Sequence, residues 1–233
     1  MDGLLINTED LYTVAHNSML AEHGKGPMPW SVKITLMGLP GTESAKRFLA
    51  WSGLPYTPEE YYAETTRRLE ELFPTAEFLP GARELLTYLD LHGVPIALAT
   101  SSHAHTFRLK TGHLHDAGFA FFKKHIVTGD DKRVAPGRGK PHPDIWYVAL
   151  ESLNKEMLEN HEETEPIKIE ECLVFEDGVP GVTAGIAAGA TVVWVPDERA
   201  IDAMGNDKAE ELISGHGEIL KSLKDLDLSK YGL

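Results

Sequence analysis

The sequence predicts an α/β protein in which an open parallel sheet, covered by helices on both faces, carries an inserted bundle of four short helices. Three observations predict it. From Leu79 onward, short and nearly unbroken apolar runs alternate with stretches of helical periodicity, the pattern of parallel strands buried on both faces and joined by right-handed crossovers. Residues 9 to 73 keep helical spacing and contain no such run. The runs end in small or charged polar residues, and in sheets of this kind ligands bind at the carboxyl ends of the strands.

In chain order, Asp2-Gly3 followed by Asn7-Thr8 reads as a loop leaving a strand, although the strand that belongs before it is absent from the sequence. Leu11, Val14, Ala15, Met19 and Leu20 then recur at helical spacing up to the breakers between Gly24 and Pro29. A second helix is expected from about Ser31, with a break around Gly38 to Gly41. Thr42 is expected to cap a third, whose inward face carries Ala45, Phe48, Leu49 and Ser52. Thr57, Pro58 and Glu60 make a capping hydroxyl, a proline at the first helical position and an acid three residues after the cap, so a fourth helix should bury Tyr61, Thr65, Leu69 and Leu72. Pro80-Gly81 leads into a helix with Leu85, Leu86 and Leu89 on one face, stopped by Gly93. Strands are expected at Val94 to Ala99, His125 to Thr128, Leu173 to Phe175 and Thr191 to Val195, and helices at about 104–115, 143–153 and 179–188. Residues 154 to 168 are acidic with little periodicity and read as a solvated insertion.

Composition narrows the class of partner. At 233 residues the chain can bury a core without staples, as one large domain or two small ones. The single cysteine, Cys172, excludes an intrachain disulfide and a multi-cysteine zinc site, and it reads as a small buried hydrophobe in a reducing compartment. A net charge of -14 excludes broad-face binding to nucleic acid or an anionic membrane, while leaving room for a small anion where charge is locally reversed. No apolar run reaches the roughly 18 residues of a membrane helix, and no signal pattern opens the chain. A cytoplasmic monomer is expected.

Four features fall at expected strand ends: Asp2-Gly3, Thr100 with Ser101, Lys140 in Gly139-Lys140-Pro141-His142-Pro143, and the pair Glu176-Asp177. Adjacent carboxylates repel unless a cation sits between them, and Mg²⁺ prefers such oxygen ligands. Taken singly, each feature has a plainer reading: the acid pair and the hydroxyls suit helix starts, and a lysine between glycine and proline suits a solvated loop. Taken together they are what a phosphoryl group requires, namely hydroxyl and N–H donors, a lysine, and a metal held by acids. Of the other polar groups, His103 and His105 could approach a phosphate but fit an exposed loop, Arg133 and Arg138 read as solvated, and Trp30, Trp51, Tyr56, Tyr61 and Tyr62 read as helical core or rim.

Order and spacing carry a resemblance over nearly the whole length. Asp2-Gly3-Leu4-Leu5-Ile6-Asn7-Thr8, Ala97-Leu98-Ala99-Thr100-Ser101-Ser102, Gly139-Lys140-Pro141-His142-Pro143-Asp144 and Leu173-Val174-Phe175-Glu176-Asp177 running on to Ala187-Ala188-Gly189 resemble the haloacid dehalogenase-like phosphohydrolases. Phe73-Pro74-Thr75-Ala76 and Gly129-Asp130-Asp131 add a resemblance to the pseudouridine-5'-phosphatase and β-phosphoglucomutase-like phosphatase subgroup. The resemblance implies a Rossmann-like core, residues 1–8 and 79–233, with a four-helix cap at 9–78 closing over the site. It implies a Mg²⁺-dependent phosphatase of small phosphomonoesters, sugar or nucleoside phosphates including pseudouridine 5'-phosphate, working through an aspartyl-phosphate.

By that resemblance Asp2 is the general acid/base, with its backbone carbonyl on Mg²⁺. Thr100 and the Ser101 backbone bind the phosphoryl oxygens, Lys140 stabilises the nucleophile and transition state, and Glu176 and Asp177 hold the metal. Gly38, Gly41 and Thr42 fall in the cap loop that sets specificity, and Asn7 replaces an aspartate found in many members. The family's nucleophile belongs immediately before Met1, where this sequence has no residue. Phosphatase turnover is therefore not expected of the chain as written, whether through truncation, an internal start or genuine loss. A β-phosphoglucomutase-like mutase is the second reading, weakened because Gly41 stands where those mutases place an arginine. A catalytically dead phosphate-binding or partner-binding module is the third.

Overall fold

Both periods read from the sequence recur in the computed structural model, which describes residues 1–37, 41–160 and 165–233. Helices α1 (Thr8–Glu22), α2 (Trp30–Lys33), α3 (Gly41–Ser52) and α4 (Pro58–Leu72) follow one another without a strand. Met19, Leu20, Met28, Leu36, Phe48 and Tyr61 close a cluster of their own between them. The start of α4 is the capping box its sequence spells, with Thr57 Oγ1 accepting from the Glu60 N–H and Glu60 accepting from the Thr57 N–H. Thr57→Ala is expected to lower stability by about 1 kcal/mol, read as a shift in the urea midpoint at unchanged slope. Tyr61, Thr65 and Leu69 are buried as expected, while Leu72 is only half-buried. Gly41 begins α3 rather than lying in a loop before it, and Thr42 is inside the helix instead of capping it. Gly38 lies outside the described residues.

The second half alternates strand and helix. Helix α5 (Ala82–Leu91) buries Leu85, Leu86 and Leu89 and stops before Gly93 in the left-handed region. It is followed by β1 (Leu98–Ala99), α6 (Ala104–Thr111), β2 (Ile126–Val127), α7 (Asp144–Asn160), β3 (Leu173–Glu176), α8 (Val179–Ala188), β4 (Thr191–Trp194), α9 (Glu198–Met204), α10 (Asn206–Ile213) and β5 (Gly217–Ile219). Every named pair is parallel, β1 with β2 and β3-β4-β5 in that order, with Leu98 opposite Ile126 and Val192 between Val174 and Gly217. Instead of one continuous ladder there are two sheets, and Leu5, Leu98, Phe175 and Val193 join them through a shared apolar cluster.

Three expectations change here. Residues 94–97 stay outside the ladder, so the run predicted as a strand contributes only its last two residues. Helix α7 continues through Lys155 to Asn160, taking in part of the stretch read as a solvated insertion. The return chain is tied back to it, because Asn154 accepts from the Ile167 N–H and donates to the Ile167 carbonyl, each at 2.8 Å. Cys172 is half-buried rather than buried, with burial and then Glu171 raising its thiol above the usual value.

Candidate active site

A cavity of about 1070 Å³ opens between the carboxyl ends of β1 and β3 and the four N-terminal helices. Asp2, Thr100, Ser101, Lys140, Glu176 and Asp177 all line it on the sheet side, so the strand-end residues singled out from sequence meet in one place. Gly41 lines the opposite wall. Their convergence follows from topology: parallel strands all end on the same side, so the loops after them share one rim.

Close backbone approaches set the geometry. Gly3 has φ +67°, and a Cβ there would collide with the Asp177 carboxylate, so the Asp2-Gly3 turn requires glycine twice over. A Cβ on Gly181 would likewise collide with the Glu176 carboxylate. Thr100 is buried, its N–H bonded to the Val127 carbonyl and its Oγ1 accepting from the Ser102 N–H at 3.1 Å. Ser101 stays exposed. Lys140 Nζ donates to Glu176 Oε1 at 2.5 Å and to the Ala99 carbonyl at 3.1 Å, and lies 4.8 Å from the Trp146 ring centre. That ion pair ties the end of β1 to the end of β3.

Asp177 is different in kind. Its carboxylate accepts no hydrogen bond from a described residue, and burial followed by the neighbouring Glu176 charge pushes it up to about 8. A buried carboxylate crowded by another is the situation a cation relieves. Among the described residues no three His, Cys, Asp or Glu side chains form a metal cluster. The donors that fit a divalent ion are thus the two adjacent acids together with main-chain oxygen, and this set suits a hard cation that keeps part of its water.

Asp2 is engaged on both oxygens. Oδ1 accepts from Thr8 Oγ1 and from Lys110 Nζ, each at 2.6 Å, and Oδ2 accepts from Ser102 Oγ at 3.0 Å. Burial alone would raise its pKa, but the Lys110 charge, the Met1 amino group and the Lys110 and Thr8 hydrogen bonds outweigh it and hold the carboxyl at about 2. Lys110 was not singled out from sequence. Its signal is that it shares one face of α6 with Phe107 and Thr111, where a lysine interrupts an otherwise uncharged stripe.

The helical wall also holds polar groups that sequence reasoning passed over. Lys33 is buried, bonded to the Glu9 carbonyl and Thr13 Oγ1 at 2.8 Å each and paired with the Glu9 carboxylate at 3.4 Å. His16 is bonded through Nδ1 to the Tyr61 hydroxyl and packs against Tyr61 and Phe48, which also stack on each other, and burial then Lys33 lower it to about 4, so it is neutral at pH 7. Arg133 and Arg138 pair with Asp131 and Asp144 outside the cavity. His103 and His105 are exposed on its rim.

Comparisons with known proteins agree with this architecture. A family profile of haloacid dehalogenase-like hydrolases matches residues 1–189. A Saccharomyces cerevisiae protein described as a probable pseudouridine-5'-phosphatase is 52% identical over 233 residues, 100% of this chain and 94% of its own. The Arabidopsis thaliana (DL)-glycerol-3-phosphatase 2 is 35% identical over 235 residues, covering 100% of this chain and 89% of its own. A crystal structure of a haloacid dehalogenase family hydrolase from Deinococcus radiodurans superimposes with a TM-score of 0.75 at 24% identity, covering 100% of this chain and 93% of the other. The chain belongs to the haloacid dehalogenase-like phosphohydrolases, related to the pseudouridine-5'-phosphatase and β-phosphoglucomutase-like phosphatase subgroup.

Proposed function

We propose that this protein is a Mg²⁺-dependent phosphomonoesterase for a small sugar or nucleoside phosphate, with residues 1–8 and 79–233 as its core and 9–78 as its cap. The observation that carries the reading is the single cavity in which Asp2, Thr100, Lys140, Glu176 and Asp177 converge. In this reading the Thr100 hydroxyl and the Ser101 backbone hold the phosphoryl oxygens. Lys140, already on Glu176, extends its positive charge over the phosphoryl group and its transition state. Asp2 is the acid/base of this reading: ionised in the free site, it takes up one proton from solvent as the ester binds, passes it to the leaving oxygen and, as a carboxylate again, accepts one from the hydrolytic water. Mg²⁺ would be held by Asp177, Glu176 and the Asp2 carbonyl, and its charge would offset that of the phosphoryl oxygens. An aspartate directly before Met1 would be the nucleophile.

Names borne by relatives suggest two leaving groups, a pseudouridine in the yeast protein and a glycerol in the Arabidopsis one. The mutase reading gains nothing from Gly41, which offers no cation for a second phosphate, and Lys33 is already paired with Glu9. The test is phosphate release, with and without Mg²⁺, from a panel including pseudouridine 5'-phosphate and glycerol 3-phosphate, using the chain preceded by an aspartate-ending strand. Hydrolysis of at least one ester, dependent on Mg²⁺, is expected; failure across the panel sinks the reading.

Metal affinity should depend on pH. Since Asp177 must be ionised to bind, and burial with the neighbouring Glu176 charge pushes its pKa well up, protonation competes with Mg²⁺ increasingly as pH is lowered, and affinity falls with it. Calorimetry at pH 6.5 in buffers of different ionisation enthalpy should register close to one proton released per metal bound, and clearly less at pH 9.

A further inference from the structure

Lys110 is a buried cation for which the scheme above has no role. It is 1% exposed, on α6, where an unpaired charge would be strongly destabilising. Its ammonium has three donors, and each has an acceptor: Asp2 Oδ1 at 2.6 Å, Ser102 Oγ at 2.9 Å and the Tyr12 hydroxyl at 3.1 Å. The rings of Tyr12 and Phe73 cover it, with centroids 5.0 and 4.7 Å away. Asp2 and Ser102 belong to the sheet side. Tyr12 is on α1 and Phe73 directly follows α4.

Lys110 does not line the cavity, whereas Asp2 and Tyr12 do. It therefore meets a bound ester only through another residue. An acid/base works only if its carboxyl stays within hydrogen-bond reach of the oxygen it protonates, and Lys110 supplies one of three donors that hold Asp2 in its orientation. Thr8 and Ser102 are neutral hydroxyls; Lys110 alone of the three carries a charge, and charge-assisted hydrogen bonds are roughly twice as strong as neutral ones.

We propose that Lys110 is a positioning residue for the Asp2 carboxylate, and that through Tyr12 and Phe73 it ties the orientation of Asp2 to the seating of helices α1 and α4. The inference rests on the reading of Asp2 as the acid/base. Lys110→Met keeps the length and apolar stem of the side chain while removing the charge and donors. The readout, in the chain preceded by the aspartate-ending strand, is kcat/KM across aryl and alkyl phosphates, because it covers only the steps through departure of the alcohol. An alkoxide needs the acid and p-nitrophenolate hardly does. Removing the Lys110 charge eases protonation of Asp2, which favours the acid, and frees its carboxyl, which disfavours it; a positioning role requires the second effect to win, with kcat/KM lowered by about 10²-fold for an alkyl phosphate and by less than about fivefold for p-nitrophenyl phosphate. A merely structural role would lower both equally, and equal loss overturns the proposal.

Tyr12→Phe, which deletes one acceptor and keeps the ring, is expected to move the same ratio by about threefold or more if Lys110→Met fails to fold. An unchanged ratio there removes the tie to α1. If the chain preceded by the aspartate-ending strand hydrolyses no ester, the phosphatase reading fails, and crystal structures decide the positioning role alone. Loss of the Asp2 contacts to Thr8 and Ser102 in Lys110→Met supports it, and an unmoved Asp2 side chain overturns it.

Discussion

Phosphate release from p-nitrophenyl phosphate with Mg²⁺ is expected when an apolar strand ending in aspartate is placed directly before Met1. The same strand ending in asparagine should give none, with a difference on the order of 10³-fold or more between the two. The reason is local. Met1 lines the cavity, and its amino group is near enough to both Asp2 and Asp177 to shift their ionisation. Because consecutive Cα atoms are about 3.8 Å apart, a residue joined to Met1 would start at the cavity that Met1 lines together with Asp2 and Asp177. Asp2, held by Thr8, Ser102 and Lys110, is the acid/base of the proposed reaction rather than its nucleophile. Mg²⁺-dependent turnover by the chain beginning at Met1 would refute this assignment.

In the chain preceded by the aspartate-ending strand, Lys140→Met is expected to lose turnover by about 10²- to 10³-fold per folded molecule, the scale associated with removing one preorganised charge from a transition state. It should also lose stability, because the Lys140–Glu176 pair has side chains only 10% and 6% exposed and the variant strands Glu176. Breaking such a pair costs about 3–5 kcal/mol. A loss of about 3 kcal/mol, at the low end of that range, is expected. Lys140→Met/Glu176→Gln should regain most of the stability and none of the turnover. Denaturant titrations and kcat corrected for the folded fraction separate the two effects; full activity in folded Lys140→Met would leave Lys140 with a structural role only.

Much of the site was readable because it is built from short-range patterns. Helix α8 spans the predicted residues, since Gly178, Val179 and Pro180 start it and Gly189 in the left-handed region ends it. The capping box at Thr57 and the apolar face of α5 were equally local. The strand-end residues were found by adjacency: carboxylates side by side at Glu176-Asp177, and hydroxyls directly after an apolar run at Thr100-Ser101. β5 went unseen because Gly217-Glu218-Ile219 contains no apolar run and is recruited by its register against β4.

The sequence by itself determined the fold class, the family and the sheet-side half of the cavity, because period, capping and strand-end chemistry are properties of a few neighbouring residues. Only the tertiary structure decided what those residues touch. Lys110 reaches Asp2 across 108 positions, Lys33 reaches Glu9 across 24, and Tyr61 reaches His16 across 45. No local pattern encodes such pairs. They arise when packing removes charged and polar groups from water, and the geometry of two surfaces then settles which partner each one finds.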